Sequence, residues 1–107
     1  MAKQATPSDD AEVNREIQRF SMRALALGKA VVDGSATDAD RETARGLSEQ
    51  IKDLAEKART LNDTYRADAM RALADARLDL AFAAANGGIP SSTRLGWYIK
   101  EHGSGGH

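Results

Sequence analysis

Apolar residues recur every three or four positions along most of this chain, and no other sequence feature constrains its fold as strongly. The first run consists of Val13, Ile17, Phe20, Ala24, Leu27 and Val31. The second run consists of Leu47, Ile51, Leu54, Ala58 and Leu61. This spacing places the members of each run on one face of an α-helix, which turns once in about 3.6 residues. The chain is therefore predicted to be all-α.

Helix-breaking residues divide the chain into predicted helices. Gly34 ends the first helix, because glycine readily adopts the left-handed backbone conformation of a helix C-cap. The run Asn86-Gly87-Gly88-Ile89-Pro90 ends a later helix, and the hydroxyl residues after it are suited to cap a last, short one. The predicted helices span residues 7–33, 38–61, 63–86 and 93–102.

The stretch Asn62-Asp63-Thr64 leaves two architectures open. No Gly or Pro lies between Leu47 and Asn86, so one helix can run straight through and produce an antiparallel helical hairpin. Asn, Asp and Thr are also residues that commonly cap helix N-termini, and a break here produces a three-helix bundle. We favour the break. In both architectures a short C-terminal helix follows.

The two ends of the chain are expected to lie outside one helical domain that spans residues 7–102. Residues 1–6 are polar and predicted to be disordered, and residues 103–107 resemble a flexible linker with the remnant of an affinity tag. The N-terminal region has no apolar stretch typical of a secretory signal, and no apolar run approaches the roughly 20 residues that cross a bilayer. We expect no membrane contact and a cytoplasmic location.

Charge balance and the lack of cysteine exclude several function classes. The 107 residues include 15 Lys and Arg against 16 Asp and Glu, a formal net charge of −1. Proteins that bind nucleic acid through overall electrostatic attraction usually carry more basic than acidic residues. Without such an excess, nucleic-acid binding by this chain would depend on a local cluster of basic side chains. Cysteine is absent, and the two histidines are His102 and His107. With no metal-ligand spacing and no nucleophile beside a base, we predict no enzyme activity, no metal and no cofactor.

The region from Leu78 to Ala85 predicts self-association. Asp79 is its only polar residue, so apolar side chains point nearly all round the helix. A helix that is apolar on every side is buried on every side, and two thin neighbouring helices are not expected to enclose it. A homo-oligomer interface is therefore predicted. Its expected residues are Leu73, Ala76, Leu80, Phe82 and Ala83.

Asp79 itself needs a partner if it is buried. Arg77 or an arginine from another helix is expected to supply one, in a structural ion pair. The alternatives are that this carboxylate simply points outward or that it binds a ligand amine or a ribose hydroxyl.

A row of three arginines is a candidate contact surface on the first helix. Arg15, Arg19 and Arg23 stand at intervals of four beside the apolar stripe. A solvated face is the favoured interpretation, because Glu12 and Glu16 lie close by in sequence. The alternative is a surface that grips phosphate groups.

Trp97 and Tyr98 are the chain's only adjacent aromatic residues, and they lie near Arg94 and Lys100. The favoured interpretation is that they hold the last helix against the bundle. Alternatively, this group of aromatic and basic residues stacks on bases or anchors a protein partner.

The stretch from Ala83 to Thr93 resembles the centre of a helix-turn-helix motif. It has a small residue, a turn glycine, an apolar residue and then a Ser/Thr-rich helix start. The resemblance implies a DNA-binding regulator with its recognition helix at the C-terminus. It departs from the pattern at Arg94, where an apolar residue is expected, and Leu95 stands one position late.

The tract from Glu49-Gln50-Ile51 through Arg71–Leu80 to Pro90 is similar to the helical-hairpin domain of phage proteins that sequester cyclic-nucleotide immune signals. This resemblance implies a small, all-helical oligomer that binds a nucleotide without catalysis. That family's aromatic-bearing N-terminal ligand segment has no counterpart here, so no binding residues are transferred.

Together these features predict a non-enzymatic, self-associating helical protein for binding or assembly. The alternatives are a DNA-binding regulator with a degenerate C-terminal helix-turn-helix and a phage-type sponge for a cyclic nucleotide. The expected partners are further copies of the chain, another protein, nucleic acid or a nucleotide.

Overall fold

Four helices make up the fold in the computed structural model, which describes residues 5–102 and their side chains from Asp9 onward. They are α1 (Ala5–Asp33), α2 (Asp38–Arg59), α3 (Asp63–Ala84) and α4 (Thr93–His102). Within this range there is no strand, so the all-α prediction is confirmed.

The helix bounds lie close to the predicted ones. α1 begins at Ala5, so Ala5 and Thr6, which were predicted to be disordered, are helical. α2 and α3 each end slightly earlier than predicted, and α4 has the predicted bounds. Residues 1–4 and the predicted flexible tail at 103–107 lie outside the described residues.

The turn between α1 and α2 is built by local signals. Gly34 has a φ of 80°, the left-handed conformation predicted for it. Thr37 then caps α2 in a capping box: the backbone N–H of Asp40 donates to Thr37 Oγ1 at 3.1 Å. The backbone N–H of Thr37 donates to Asp40 Oδ2 at 2.9 Å. These reciprocal bonds satisfy N–H groups at the helix start, so the chain reverses direction within a few residues.

The helix breaks at Asn62, as favoured from the sequence. Asn62 is the N-cap of α3, and its side chain accepts a bond from the backbone N–H of Tyr65. A tertiary contact reinforces the break: Asn62 donates from its backbone N and its Nδ2 to Asp10 Oδ2, at 3.0 and 2.9 Å. α2 and α3 are therefore separate helices, and the start of α3 is tied to α1.

Side-chain contacts fix the helix directions. Gln18 Nε2 donates to the carbonyl of Asp68, and Ser21 Oγ donates to the carbonyl of Ala72 at 2.9 Å. α1 and α3 therefore run side by side in the same direction. α2 runs the opposite way, with Lys57 Nζ lying 3.7 Å from Glu16 Oε2.

The core lies between the three long helices and is rich in alanine. Alanine side chains let neighbouring helices approach closely while larger residues fill the remaining space. The buried members of this core are Ile17, Phe20, Ala24, Ala44, Leu47, Leu54, Ala58, Leu61, Ala69, Ala72, Leu73, Ala76, Leu80 and Ala83.

α4 docks on α1 and α3 through a second, smaller apolar cluster of Leu25, Phe82 and Leu95. Gly28 of α1 makes room for it, since a Cβ there would lie 3.0 Å from a methyl carbon of Leu95. The link from α3 passes through Asn86, which has a φ of 61°. The result is an elongated molecule of 58 × 25 × 18 Å.

Candidate interaction surfaces

The five residues predicted to form an oligomer interface lie inside the single chain. Each is at most 7% exposed, and Leu80 and Ala76 are completely buried. α1 and α2 cover most of them, and α4 adds the cover over Phe82. α1, α2 and α4 therefore cover Leu73, Ala76, Leu80, Phe82 and Ala83 within the single chain, and the oligomer interface placed on these residues stays a prediction.

The opposite face of α3 stays exposed and is nearly uncharged along its centre. Ala67, Ala74 and Ala81 recur at intervals of seven and are all exposed. Met70 lies in the same stripe and is 40% exposed. We call these four residues the outer stripe. Of these four, Ala81 belongs to the segment from Leu78 to Ala85, in which apolar residues were expected nearly all round the helix.

A shallow groove of about 160 Å³ connects the outer stripe to α2. Its α2 side is formed by Ile51 and Ala55, which are both half-buried. On the α3 side, Met70 and Ala74 line it together with Arg77. The apolar surface of the outer stripe therefore continues onto the neighbouring helix.

Asp79 is completely buried and forms the centre of a polar network that holds α4. Arg94 Nε donates to Asp79 Oδ2 at 2.7 Å, and Arg94 Nη2 donates to the carbonyl of Ser21 at 2.9 Å. Ser92 Oγ donates to the other carboxylate oxygen and accepts from the backbone N–H of Leu95. The predicted structural ion pair is confirmed, with an arginine from another helix as the partner.

This network changes the interpretation of the helix-turn-helix resemblance. Arg94 is held by a buried carboxylate and a backbone carbonyl and is therefore a structural residue. The link between α3 and α4 spans residues 85–92, whereas a helix-turn-helix has a turn of roughly three or four residues. The arrangement of α3 and α4 thus departs from the motif.

A polar cleft of about 340 Å³ lies beside this network, between α1 and α3. Arg94 forms one wall, and the acids Asp68 and Asp75 stand on either side of Arg71. The amide side chains of Asn14 and Gln18 line the α1 side. Since both signs of charge are present in equal number on α3 and α4 here, the cleft has no single-sign field that would select an anion.

The aromatic pair of α4 is split between two environments. Trp97 is 58% exposed, with Lys100 Nζ 5.4 Å from its ring centre. Tyr98 instead joins α4 to the end of α1: its hydroxyl donates to the Asp33 carboxylate, at 2.7 Å from Oδ1. This bond raises the pKa of Tyr98, as do, to a smaller extent, desolvation and the negative charge of Asp33. Tyr98 therefore holds the last helix as predicted, whereas Trp97 faces solvent.

The three arginines of α1 also have different surroundings. Arg15 forms an ion pair with Glu12, one turn earlier. Arg19 lines a depression between α1 and α2, and Arg23 lines both this depression and the one next to it. Arg19 and Arg23 therefore lie at the groove formed by the two depressions between α1 and α2, whereas Arg15 lies outside this groove.

In the part of the chain from residue 9 to residue 102, no group of three or more His, Cys, Asp or Glu residues is arranged to hold a metal ion. None of the helices described is both long enough and apolar enough to cross a membrane.

The sequence indicated an arginine partner for Asp79 but did not identify Arg94 or Ser92, and it did not indicate the groove between α1 and α2. The only available signal was the buried acid itself, because its partners come 13 and 15 positions later in the chain.

Comparisons with protein-family models, with curated proteins and with solved structures produce no match to this chain.

Proposed function

We propose that this chain is a non-catalytic helical protein that self-associates through the outer stripe of α3 and serves binding or assembly. The observation that carries the proposal is the exposed alanine row at 67, 74 and 81, which lies in phase with Met70. Identical small residues spaced by seven suit close packing of one helix against another copy of itself.

The groove beside the stripe supports the same proposal. Ile51 and Ala55 extend the apolar surface to α2, so two copies would bury parts of two helices each. An exposed apolar surface that spans more than one element is typical of a protein–protein contact.

The charges at the edges of the stripe fit an antiparallel pair. Arg71 and Arg77 lie on opposite edges of the exposed face of α3. When two α3 helices pack antiparallel about Ala74, Arg77 of one copy lies beside Met70 of the other. The aliphatic part of the arginine then covers the thioether while the guanidinium reaches solvent.

Ala74→Glu tests the proposal. We expect this variant to be a folded monomer, because a carboxylate at the centre of the contact would be buried without a partner, while the site is exposed in the single chain. The measurement is native mass spectrometry with circular dichroism at matched concentration. Ala39→Glu is the control, since Ala39 is exposed on α2, away from the stripe. A monomeric parent protein, or an Ala74→Glu variant of unchanged mass, would contradict the proposal.

The DNA-binding and nucleotide-binding alternatives stay predictions. Arg94 is committed to Asp79, so DNA affinity would have to come from other cations, such as Arg19 and Arg23. A DNA titration at low and high salt tests the first alternative. A melting-temperature screen with cyclic nucleotides tests the second.

A further inference from the structure

We propose that the groove between α1 and α2 binds an amphipathic helix of a partner protein whose apolar stripe is flanked by acidic residues. This inference concerns a different face from the outer stripe of α3 and does not depend on self-association.

The groove has the dimensions of a helix. It consists of two adjoining depressions of about 380 and 310 Å³, and Arg23 belongs to both. On α1 it extends from Glu16 to Ala30, which is roughly 20 Å at about 1.5 Å per residue. A partner helix of about four turns spans that length.

The lining of the groove is apolar at several points. Phe20 and Leu54 meet at one end, each 7% exposed. Half-buried Leu27 and Ala30 line the other end, beside exposed Ala26. Contact with these residues suits side chains at positions i, i+3, i+4 and i+7 of a docked helix.

The charges on the rim select an acidic partner. Arg19 and Arg23 are both exposed, and neither forms an ion pair with any carboxylate in the described part of the chain. The facing rim of α2 presents the uncharged Thr43 and Gln50. Basic groups along one edge of an apolar groove favour a partner with carboxylates on that side, through complementary potential.

Two carboxylates also line the groove, one at each end. Glu16 lies at one end and is paired with Lys57. Asp40 lies at the other end, where its carboxylate accepts the backbone N–H of Thr37 in the capping box. Arg19 and Arg23 lie between these two ends, and neither has a carboxylate partner in the described part of the chain, so the middle of the groove carries unpaired positive charge.

On the other side of α1, the chain already packs one of its own helices into a groove between two others. There α4 lies against α1 and α3 and places Leu95 between Leu25 and Phe82. Within the described residues, no element of the chain covers the groove between α1 and α2 in the same way. A helix supplied by another protein is the occupant that matches this shape and charge.

Selection from a displayed library of helical peptides of roughly 18 residues tests the proposal. We expect the enriched peptides to carry an apolar stripe with Asp or Glu beside it. Binding of a selected peptide is expected to weaken at least about tenfold in the double variant Arg19→Glu/Arg23→Glu, because two attractive contacts become repulsive. Arg15→Glu is the matched control, since Arg15 belongs to the same row but is paired with Glu12 outside the groove.

A second variant tests the shape without changing the charge. Ala26→Trp places a large side chain on an exposed position of the groove, so the fold is retained while binding is expected to fall at least about tenfold. The proposal is overturned if no peptide is enriched, if the enriched peptides are not acidic, or if both variants bind as tightly as the parent. It is also overturned if the double arginine variant dissociates a homo-oligomer, since a second copy would then occupy the groove.

Discussion

Asp79, Ser92 and Arg94 show how single side chains decide where α4 lies. A fully buried carboxylate is costly unless its charge is paired and its oxygens accept hydrogen bonds. Here Arg94 supplies the positive charge and Ser92 supplies a hydroxyl donor. Ser92 immediately precedes α4, and Arg94 lies in its first turn. The ion pair and the hydrogen bond to Asp79 of α3 thus position the last helix.

Loss of Arg94 is expected to cost more than a surface ion pair would. In Arg94→Ala, Asp79 remains buried without its cation, so we expect unfolding to become easier by about 3 kcal/mol. The double variant Arg94→Ala/Asp79→Ala is expected to lose less than the sum of the two single variants, because it removes both charges. Urea denaturation of the four proteins measures this coupling. Strictly additive losses would show that the two side chains do not depend on each other.

At the scale of the element, the helices differ in how firmly each is held. Asn62 combines a cap for α3 with two bonds to Asp10 of α1, so the start of α3 is fixed both locally and by a tertiary contact. α4 depends on Leu95 and the Asp79 network near its start, and on Tyr98 farther along. The later part of α4 is therefore held by the hydrogen bond from Tyr98 to Asp33, which is lost when the Tyr98 hydroxyl is deprotonated at alkaline pH.

The bond from Tyr98 to Asp33 predicts a dependence on alkaline pH. The folded-state pKa of Tyr98 is raised above its ordinary value of 10.0, because its neutral hydroxyl donates to Asp33. The stabilisation is thus complete below pH 10 and is lost as the pH rises through the folded-state pKa. Denaturation of the parent and of Tyr98→Phe across this range measures the effect, since phenylalanine cannot titrate. A stability difference between them that does not change with pH would contradict the expectation.

At the scale of the whole molecule, α3 is enclosed on one side and exposed on the other. Leu80 lies within the single chain and is completely buried, whereas Ala74 lies on the exposed side. The elongated shape, 58 Å in its longest dimension, leaves the outer stripe and the groove between α1 and α2 on different faces. The two proposed contacts therefore use separate surfaces of the molecule.

This division predicts different fates for two acidic substitutions in α3. Leu80→Asp puts an unpaired carboxylate in the core, and we expect it to unfold the chain, with a loss on the order of 4 kcal/mol or more. Circular dichroism during thermal denaturation distinguishes this outcome from the folded monomer expected for Ala74→Glu. A folded Leu80→Asp variant with reduced mass would instead restore the interface first predicted from the sequence.

Local signals were sufficient to predict the helices and their breaks. Gly34 and Asn62 act on their own turn through backbone conformation and capping, so their effects can be interpreted without knowledge of the rest of the fold. The regular apolar stripes of α1 and α2 likewise indicate the buried face of each helix. These features depend on neighbours a few positions away in the chain.

Tertiary structure alone decided which face of α3 is buried and what Asp79 contacts. Between Leu78 and Ala85 the only polar residue is Asp79, so this segment of α3 has no polar face to indicate which side points outward, and only the positions of α1, α2 and α4 distinguish buried Leu80 from exposed Ala81. Arg94 is near Asp79 only because the link at residues 85–92 turns α4 back onto α1 and α3. The sequence by itself determined the helices, whereas packing between distant segments determined the surfaces left for partners.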